Sequence, residues 1–305
     1  MIQKQSIIDI ISPATPCNSL QLDLIKNFLS SISLNFNIFY EAETTIKEES
    51  IYSDSEFASC DVNYRFLQLK EALENPLSKI IWCSRGGYGS ADLLPLLHNI
   101  PKPKYPKILI GFSDITVFHH RLMKFGVQSI HGSMPLNFES NSTEALESML
   151  EILRGGHPLI SCSANESNKQ GEADGTLIGG NLSIVFSLLG TDDALNFDGG
   201  ILFLEDLAEQ LYHLDRMFFA LKKTGAFGKI KGLIIGGMTD LEDTDNPTGL
   251  TIAEIVSHHF TYSKIPICYD FPIGHFADNR SVIVGAKVHL KVAETCTELS
   301  YLNSF

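Results

Sequence analysis

A serine at the junction of a strand and a helix is the first candidate for chemistry in this chain. The apolar run Lys107–Ile110 leads through Gly111 to Ser113, and a helical pattern begins at Ile115. A sharp turn at such a junction exposes a serine hydroxyl for nucleophilic attack. The N–H of Asp114, at the start of the helix, could then bind an oxyanion. Because Ile115 replaces the second glycine of the Gly-x-Ser-x-Gly hydrolase motif, an ordinary helix N-cap remains the alternative.

A glycine-rich loop, Ser84–Ser90, also follows an apolar strand and precedes a helical pattern. Adjacent glycines let backbone N–H groups approach a ligand closely, so this loop could complete an oxyanion hole. It lacks the lysine and the spaced acid of phosphate and dinucleotide motifs, so phosphate binding is the second candidate function. A tight turn whose glycines serve only packing is the structural alternative. Arg85 could bind a peptide carboxylate or pair with a surface acid, and Gly87 and Tyr88 are candidate substrate-binding residues beside it.

Two acids and a histidine follow apolar strands in the second half of the chain. Glu205 and Asp206 end the run Ile201–Leu204, where a buried acid needs a hydrogen-bonding partner. Orienting a histidine would supply that partner, whereas capping the next segment is the alternative. His275 lies beside Gly274 in a loop, where a histidine is often merely exposed to solvent.

The order of these residues along the chain suggests a catalytic triad. Ser113, Glu205 and His275 are separated by 92 and 70 residues, in the serine, acid, histidine order of α/β-hydrolases. His275 would accept the serine proton, and Glu205 would hold the histidine tautomer and stabilise the imidazolium. The neighbouring pairs His119-His120 and His258-His259 point in different directions on helices, so the sequence predicts no catalytic metal and no cofactor.

The elements that position these residues are those of an α/β protein. Short β-branched runs alternate with helical patterns in the first half, which predicts a parallel sheet with strands at Ile7–Ile11, Asn35–Tyr40, Lys79–Cys83, Lys107–Ile110 and Val127–Ile130. The composition changes at Arg154–Pro158, and a polar stretch follows. The sequence therefore predicts an N-terminal doubly wound domain (1–157), a linker (158–174) and a smaller C-terminal α/β domain (175–305).

Composition limits the partners and the location. The chain has 36 acidic and 23 basic residues, for a formal charge of −13, which disfavours nucleic acid and anionic membranes as partners. Neither a signal-peptide pattern nor an apolar run of about 18 residues is present, so the sequence predicts a cytoplasmic protein without membrane contact.

Several motifs together resemble the LD-carboxypeptidase family, which includes muramoyltetrapeptide carboxypeptidases and microcin-immunity serine peptidases. They run in order over almost the whole chain: Ser12–Ala14, Ile81–Ser90, Lys107–Thr116, His131-Gly132, Gly179–Leu182, Phe203–Asp206, Asp215-Arg216, and Pro272–His275 with Asn279.

This resemblance implies a Rossmann-like N-terminal domain, a swivelling C-terminal domain, and a Ser113–Glu205–His275 triad in a cleft between them. It also implies an oxyanion hole formed by the N–H groups of Gly86 and Asp114. The family reaction removes terminal D-alanine from murein tetrapeptides in the cytoplasm, and the resemblance suggests a homodimer.

Two alternatives to a murein peptidase follow from the same motifs. Ser133 and the segment Glu209–Tyr212 depart from the residues often found in the family, so a microcin-type peptide–nucleotide conjugate is the second candidate substrate. That branch tends to need an aromatic loop for base stacking, whereas Trp82, the only tryptophan, lies in a predicted strand. A non-catalytic two-domain binder of a small ligand would need the glycine-rich loop but neither Glu205 nor His275.

Overall fold

The computed structural model describes residues 7–31, 35–38, 62–98, 102–245 and 247–302. The chain forms two compact units, Met1–Ser140 and Asn141–Phe305. The α-helices are α1 (Ser19–Ser31), α2 (Val62–Glu74), α3 (Leu94–Leu97), α4 (Thr116–Lys124), α5 (Thr143–Leu153), α6 (Leu182–Ser187), α7 (Leu211–Lys223) and α8 (Ile252–His259). None of the helices in these ranges is long and apolar enough to cross a membrane.

The strands of the first unit build the parallel sheet that the sequence predicts. They are β1 (Ile7–Ile11), β2 (Asn35–Ile38), β3 (Ser78–Cys83), β4 (Ile108–Gly111) and β5 (Ser129–His131), and they lie in the order β2-β1-β3-β4-β5. Every neighbouring pair among these five is parallel. Residues 39 and 40 of the predicted second strand lie outside the described residues.

This strand order places two loops at a topological switch point. Strands β1 and β3 are neighbours, but the chain continues from β1 to β2 on one side and from β3 to β4 on the other. Ligands of open α/β sheets bind at such switch points. The loop after β1 begins at Ser12, and the loop after β3 is the glycine-rich segment Ser84–Gly89. Ser113 follows the next strand, β4. The fold thus brings the carboxyl ends of three strands to one edge.

The second unit holds a mixed sheet. The strands of this part of the chain are β6 (Ile160–Ser163), β7 (Gly171–Asn181), β8 (Gly200–Leu207), β9 (Gly232–Thr239), β10 (Ile267–Cys268), β11 (Val282–Val284), β12 (Lys287–Val292) and β13 (Cys296–Tyr301). All of them except β11 belong to the mixed sheet. The order β10-β9-β8-β7-β12-β13-β6 is parallel from β10 to β7 and antiparallel from β7 to β6. Strand β8 carries Glu205 near its carboxyl end, between two parallel neighbours.

The boundary between the units differs from the predicted one. It lies after Ser140 rather than after residue 157, because helix α5 is tied to the second unit. The Ser142 hydroxyl donates to Asp278 at 3.1 Å, and the Ser281 N–H donates to the Ser148 hydroxyl at 2.8 Å. The predicted linker, 158–174, instead contains β6 and the start of β7, so the second unit is the longer one, not the smaller.

Candidate functional site

The backbone at Ser113 has the conformation of a strained turn. Ser113 has a φ of +64°, a left-handed value that residues with a Cβ seldom adopt. The residue in the cap position before the short 3₁₀ turn Ser113–Ile115 is Phe112, with an extended φ of −150°. An N-cap serine would itself have extended backbone. The geometry therefore argues against the N-cap interpretation and for a turn that presents the half-buried hydroxyl.

The glycine-rich loop lies directly against this serine. A Cβ on residue 86 would lie 3.0 Å from the Ser113 Cβ and 3.2 Å from its Oγ, with the Cε of Met134 at 3.4 Å. Only a glycine lets the loop backbone come this close. The structure thus brings together Gly86 and Ser113, two candidates taken from separate parts of the sequence, with Asp114 next in the chain.

Replacing Gly86 with alanine is expected to lower kcat about 10- to 100-fold, because reacting groups tolerate little displacement. The nearest neighbour of the new methyl group is the rigid Cβ of Ser113, so either the serine or the loop has to move. Gly228→Ala is the matched control, since a Cβ there meets no atom within 4 Å. Steady-state kinetics with a thermal melt would test this, and equal kinetics for the two variants would contradict it.

Thr15 supports the outer part of the same loop. Gly87 has a φ of +113°, and a Cβ there would lie 2.3 Å from the Thr15 Oγ1. The Tyr88 N–H donates to that oxygen at 3.1 Å, while the Tyr88 side chain is 74% exposed. Arg85 is half-buried and makes no ion pair within the described ranges, so the surface-acid alternative for this residue finds no support there.

Glu205 and His275 meet in the second unit. The Glu205 Oε2 lies 2.6 Å from the His275 Nδ1, and the Glu205 side chain is fully buried. Two residues of β9, Gly236 and Gly237, lie opposite the single residue Glu205 of β8, which forms a β-bulge. Such bulges redirect side chains beside functional sites.

The histidine loop is fixed against Glu205 by close backbone contacts. Gly274 has a φ of +127°, and a Cβ there would lie 2.9 Å from the Glu205 Cβ. The Gly274 N–H donates to the Asn279 Oδ1 at 2.9 Å, and the Thr239 hydroxyl donates to the carbonyl of His275 at 3.2 Å. The Nδ1 is therefore the ring nitrogen that faces the carboxylate.

Burial and charge oppose each other in this pair. Burial raises the pKa of Glu205, and the adjacent His275 counteracts that rise. Burial by itself lowers the pKa of His275, but the negative charge of Glu205, its hydrogen bond to the ring and the charge of Asp206 together outweigh this effect. The pKa of His275 therefore lies above its ordinary value of 6.5.

This shift predicts the direction of the pH dependence. A general base must be neutral, so kcat/KM is expected to rise with pH and to reach half its maximum above pH 6.5. A raised pKa keeps His275 protonated to a higher pH, so the rising part of the kcat/KM profile shifts to higher pH. A pH profile of kcat/KM would measure the midpoint, and a midpoint at or below 6.5 would contradict the assignment.

The neighbouring acid, Asp206, has a different task. Its Oδ2 accepts from the N–H and the hydroxyl of Ser183 at 2.9 and 2.6 Å, at the start of α6. Its Oδ1 accepts from Asn181 and from the Leu207 N–H, both at 2.9 Å. The capping of the following segment that the sequence left open for either acid is not found, because α7 begins at the N-cap Gln210 without a side-chain cap. Asp206 instead binds the start of the earlier helix α6, and the histidine contact belongs to Glu205.

Arg65, which contacts the glycine-rich loop, is not among the functional residues that the sequence motifs predict. Its side chain is fully buried, and it donates to the carbonyls of Pro13 and Gly89. A signal was present in the sequence: Arg65 lies at helical spacing with Gln68, Leu69 and Ala72 on the buried face of α2. A charge on an apolar helix face needs partners, and here the partners are two loops.

Comparison with known proteins agrees with this architecture. The model described as the LD-carboxypeptidase N-terminal domain matches residues 8–132, and that of the C-terminal domain matches residues 174–290. A murein tetrapeptide carboxypeptidase of Pseudomonas aeruginosa is 30% identical over 232 residues, covering 72% of this chain and 75% of that protein.

Solved structures extend the comparison over the whole fold. A muramoyltetrapeptide carboxypeptidase from Oxalobacter formigenes superimposes with a TM-score of 0.83 at 27% identity, covering 98% of this chain and 99% of that one. MccF in complex with glutamyl sulfamoyl guanosine gives a TM-score of 0.81 at 19% identity, covering 99% and 98%, which shows a shared fold. The chain therefore belongs to the LD-carboxypeptidase family, a family of serine-type carboxypeptidases.

Proposed function

We propose that this protein is a serine LD-carboxypeptidase that removes terminal D-alanine from murein tetrapeptides during cell-wall recycling. The observation that carries the proposal is the buried Glu205 carboxylate 2.6 Å from the His275 ring. A protein that only bound a ligand would gain nothing from desolvating a carboxylate to orient a histidine. The names of the murein peptidases that this chain resembles support the choice of substrate.

In the proposed mechanism, the Ser113 Oγ attacks the carbonyl carbon of the bond to D-alanine while the His275 Nε2 accepts the hydroxyl proton. The N–H groups of Gly86 and Asp114 stabilise the oxyanion. His275 then gives its proton to the leaving amine, and D-alanine departs from an acyl-enzyme. Water, deprotonated by His275, then attacks the acyl carbon. The ester bond to the Ser113 Oγ breaks, and His275 returns the proton to that oxygen, which releases the shortened peptide and restores Ser113. Glu205 holds the histidine tautomer and stabilises the imidazolium in both halves.

We further propose that Arg85, with Gly87 and Tyr88, binds the terminal carboxylate of the peptide. A guanidinium binds a carboxylate through two parallel hydrogen bonds. Arg85 is half-buried and has no acidic partner within the described ranges, so its charge is open to a ligand. In a chain with a formal charge of −13, such a local cation helps to attract an anionic peptide.

The deciding experiment is the release of free D-alanine from purified L-Ala-γ-D-Glu-meso-diaminopimelate-D-Ala. We expect the parent protein to release it, and the same peptide ending in L-alanine to remain intact. If the protein hydrolyses neither peptide, the proposal is contradicted. An aminoacyl sulfamoyl nucleoside, assayed in parallel, tests the microcin-type alternative.

One feature favours the murein peptide over the nucleotide conjugate. Trp82 is 1% exposed, its indole N–H donates to the carbonyl of Ser133 at 3.0 Å, and its ring packs edge-on against Phe138. This tryptophan is thus part of the core and offers no face for stacking a base.

By the same family resemblance we propose that the protein is cytoplasmic and forms a homodimer. Sedimentation analysis would test the dimer.

A further inference from the structure

We propose that Arg65 is a positioning residue for catalysis: its guanidinium holds the glycine-rich loop in the geometry that the oxyanion hole requires. This inference deepens the proposed function and rests on it. The carbonyls to which Arg65 donates belong to Pro13 and Gly89. It would act through the backbone of the loop that carries Gly86.

The guanidinium joins the loops that follow β1 and β3. One nitrogen, Nη1, donates to the carbonyl of Pro13 at 2.8 Å and to that of Gly89 at 2.7 Å. The other, Nη2, lies 3.5 Å from the Asp92 Oδ2 in the turn that follows. The fully buried Arg65 therefore links the two loops of the switch point, the one after β1 and the one after β3.

Gly89 has the conformation that makes room for this contact. Its φ is +105°, and a Cβ there would lie 2.9 Å from the Arg65 Nη1. A larger residue at position 89 would have to displace the guanidinium. The glycine is thus needed both for the left-handed turn and for the approach of Arg65.

A second connection runs from the loop to the nucleophile turn. The Asp114 Oδ2 accepts from the Ser90 N–H at 2.8 Å, and Ser90 follows Gly89 directly. Burial raises the pKa of Asp114; hydrogen bonding by Ser90 counteracts that rise, and the positive charge of Arg65 adds to the counteraction. Arg65 thus favours the charged carboxylate that anchors Ser90, while Asp114 is the residue directly after Ser113.

The shape of the side chain matters as much as its charge. A guanidinium is a rigid planar fork that can serve several acceptors at once, whereas an ammonium group is a point charge on a flexible stem. Arg65→Lys would keep the positive charge near Asp114 and Asp92, but its nitrogen ends one bond short of Nη1, so it could not keep both carbonyl bonds together with the contact to Asp92. This variant therefore separates loop geometry from charge.

The test compares Arg65→Lys with Arg121→Lys in the full-length protein. Arg121 is a matched control because it is a partly buried arginine of the same unit that donates to a backbone carbonyl, that of Leu97, at 2.8 Å. Three readouts are needed: kcat and KM for D-alanine release, the rate of phosphonylation of Ser113 by a fluorophosphonate, and hydrogen exchange of a peptide spanning residues 84–90.

For Arg65→Lys we expect kcat and the phosphonylation rate to fall together by about 100-fold while KM stays nearly unchanged. Faster amide exchange in residues 84–90 should accompany this loss. Arg121→Lys should leave all three readouts at parent values. If Arg65→Lys does not fold, Asp92→Asn releases Nη2 from its acidic partner without straining the loop backbone. It should lower kcat and the phosphonylation rate together and speed exchange in residues 84–90, each to a smaller extent.

Other results would overturn the inference. If Arg65→Lys lowers the melting temperature and the fraction of active protein, but each fluorophosphonate-labelled site keeps the parent kcat, then Arg65 has only a structural role. Parent-like phosphonylation and exchange in a folded Arg65→Lys protein would also refute the positioning role, while the proposed function would stand. Failure of the parent itself to react with peptide and fluorophosphonate would instead refute the proposed function.

Discussion

Ser113→Ala is expected to lower kcat for D-alanine release by roughly 10⁶-fold, as removal of a catalytic serine does elsewhere. The loss should fall on kcat, because the hydroxyl forms its new bond only as the reaction proceeds. Alanine keeps the Cβ, so the left-handed backbone at φ +64° is equally strained in both proteins. The melting temperature should therefore change little.

Ser140→Ala is the control for this substitution. Its hydroxyl donates to the carbonyl of Asn137 at 2.9 Å on the surface of the same unit, so its removal should leave kcat unchanged. A fluorophosphonate should label the parent and the Ser140 variant but not Ser113→Ala. D-Alanine release by Ser113→Ala above one-hundredth of the parent rate, or labelling at another residue, would refute the nucleophile assignment.

Glu205→Gln is expected to lower kcat about 10⁴-fold, by analogy with loss of the triad acid in other serine hydrolases. The amide has nearly the shape of the carboxylate, so the bulge and the Gly274 contact remain. What disappears is the negative charge 2.6 Å from the ring, and with it the preference for the tautomer in which Nδ1 carries the proton and Nε2 does not. The residual activity should titrate at a lower pH than that of the parent.

Asp206→Asn provides the comparison at the next residue. It weakens the hydrogen bonds that cap α6, at a cost of about 1–2 kcal/mol in the free energy of unfolding. Its effect on kcat should be far smaller than that of Glu205→Gln. Kinetics and urea unfolding of both variants would separate the two acids, and equal kinetic losses would contradict the division of roles.

The candidate residues could be found from the sequence because functional residues of α/β proteins lie at or just after the carboxyl ends of strands. Ser113, Glu205 and His275 each come after an apolar run, and those runs correspond to β4, β8 and the chain around β10. The sequence could not decide between a nucleophile and an N-cap at Ser113, because that choice depends on a backbone angle. It also could not separate Glu205 from Asp206, whose partners lie on different elements.

The parts of the fold that were missed share a physical cause. Strand β6 is at the edge of its sheet, and its exposed residues Ser161 and Ser163 make it resemble a polar linker. An edge strand needs only one apolar face, so its composition alone does not reveal it. The unit boundary was misplaced for a related reason, since the contacts that hold α5, through Ser142 and Ser148, reach residues more than 130 positions away.

The left-handed backbone at Ser113 also limits how this protein could be engineered. A residue with a Cβ costs about 1–2 kcal/mol there relative to glycine. Ser113→Gly would remove that cost together with the proposed nucleophile, so heat resistance and turnover favour different residues at one position. Selection for thermal stability alone would enrich inactive proteins, and a durable catalyst would have to gain its stability at sites away from this turn.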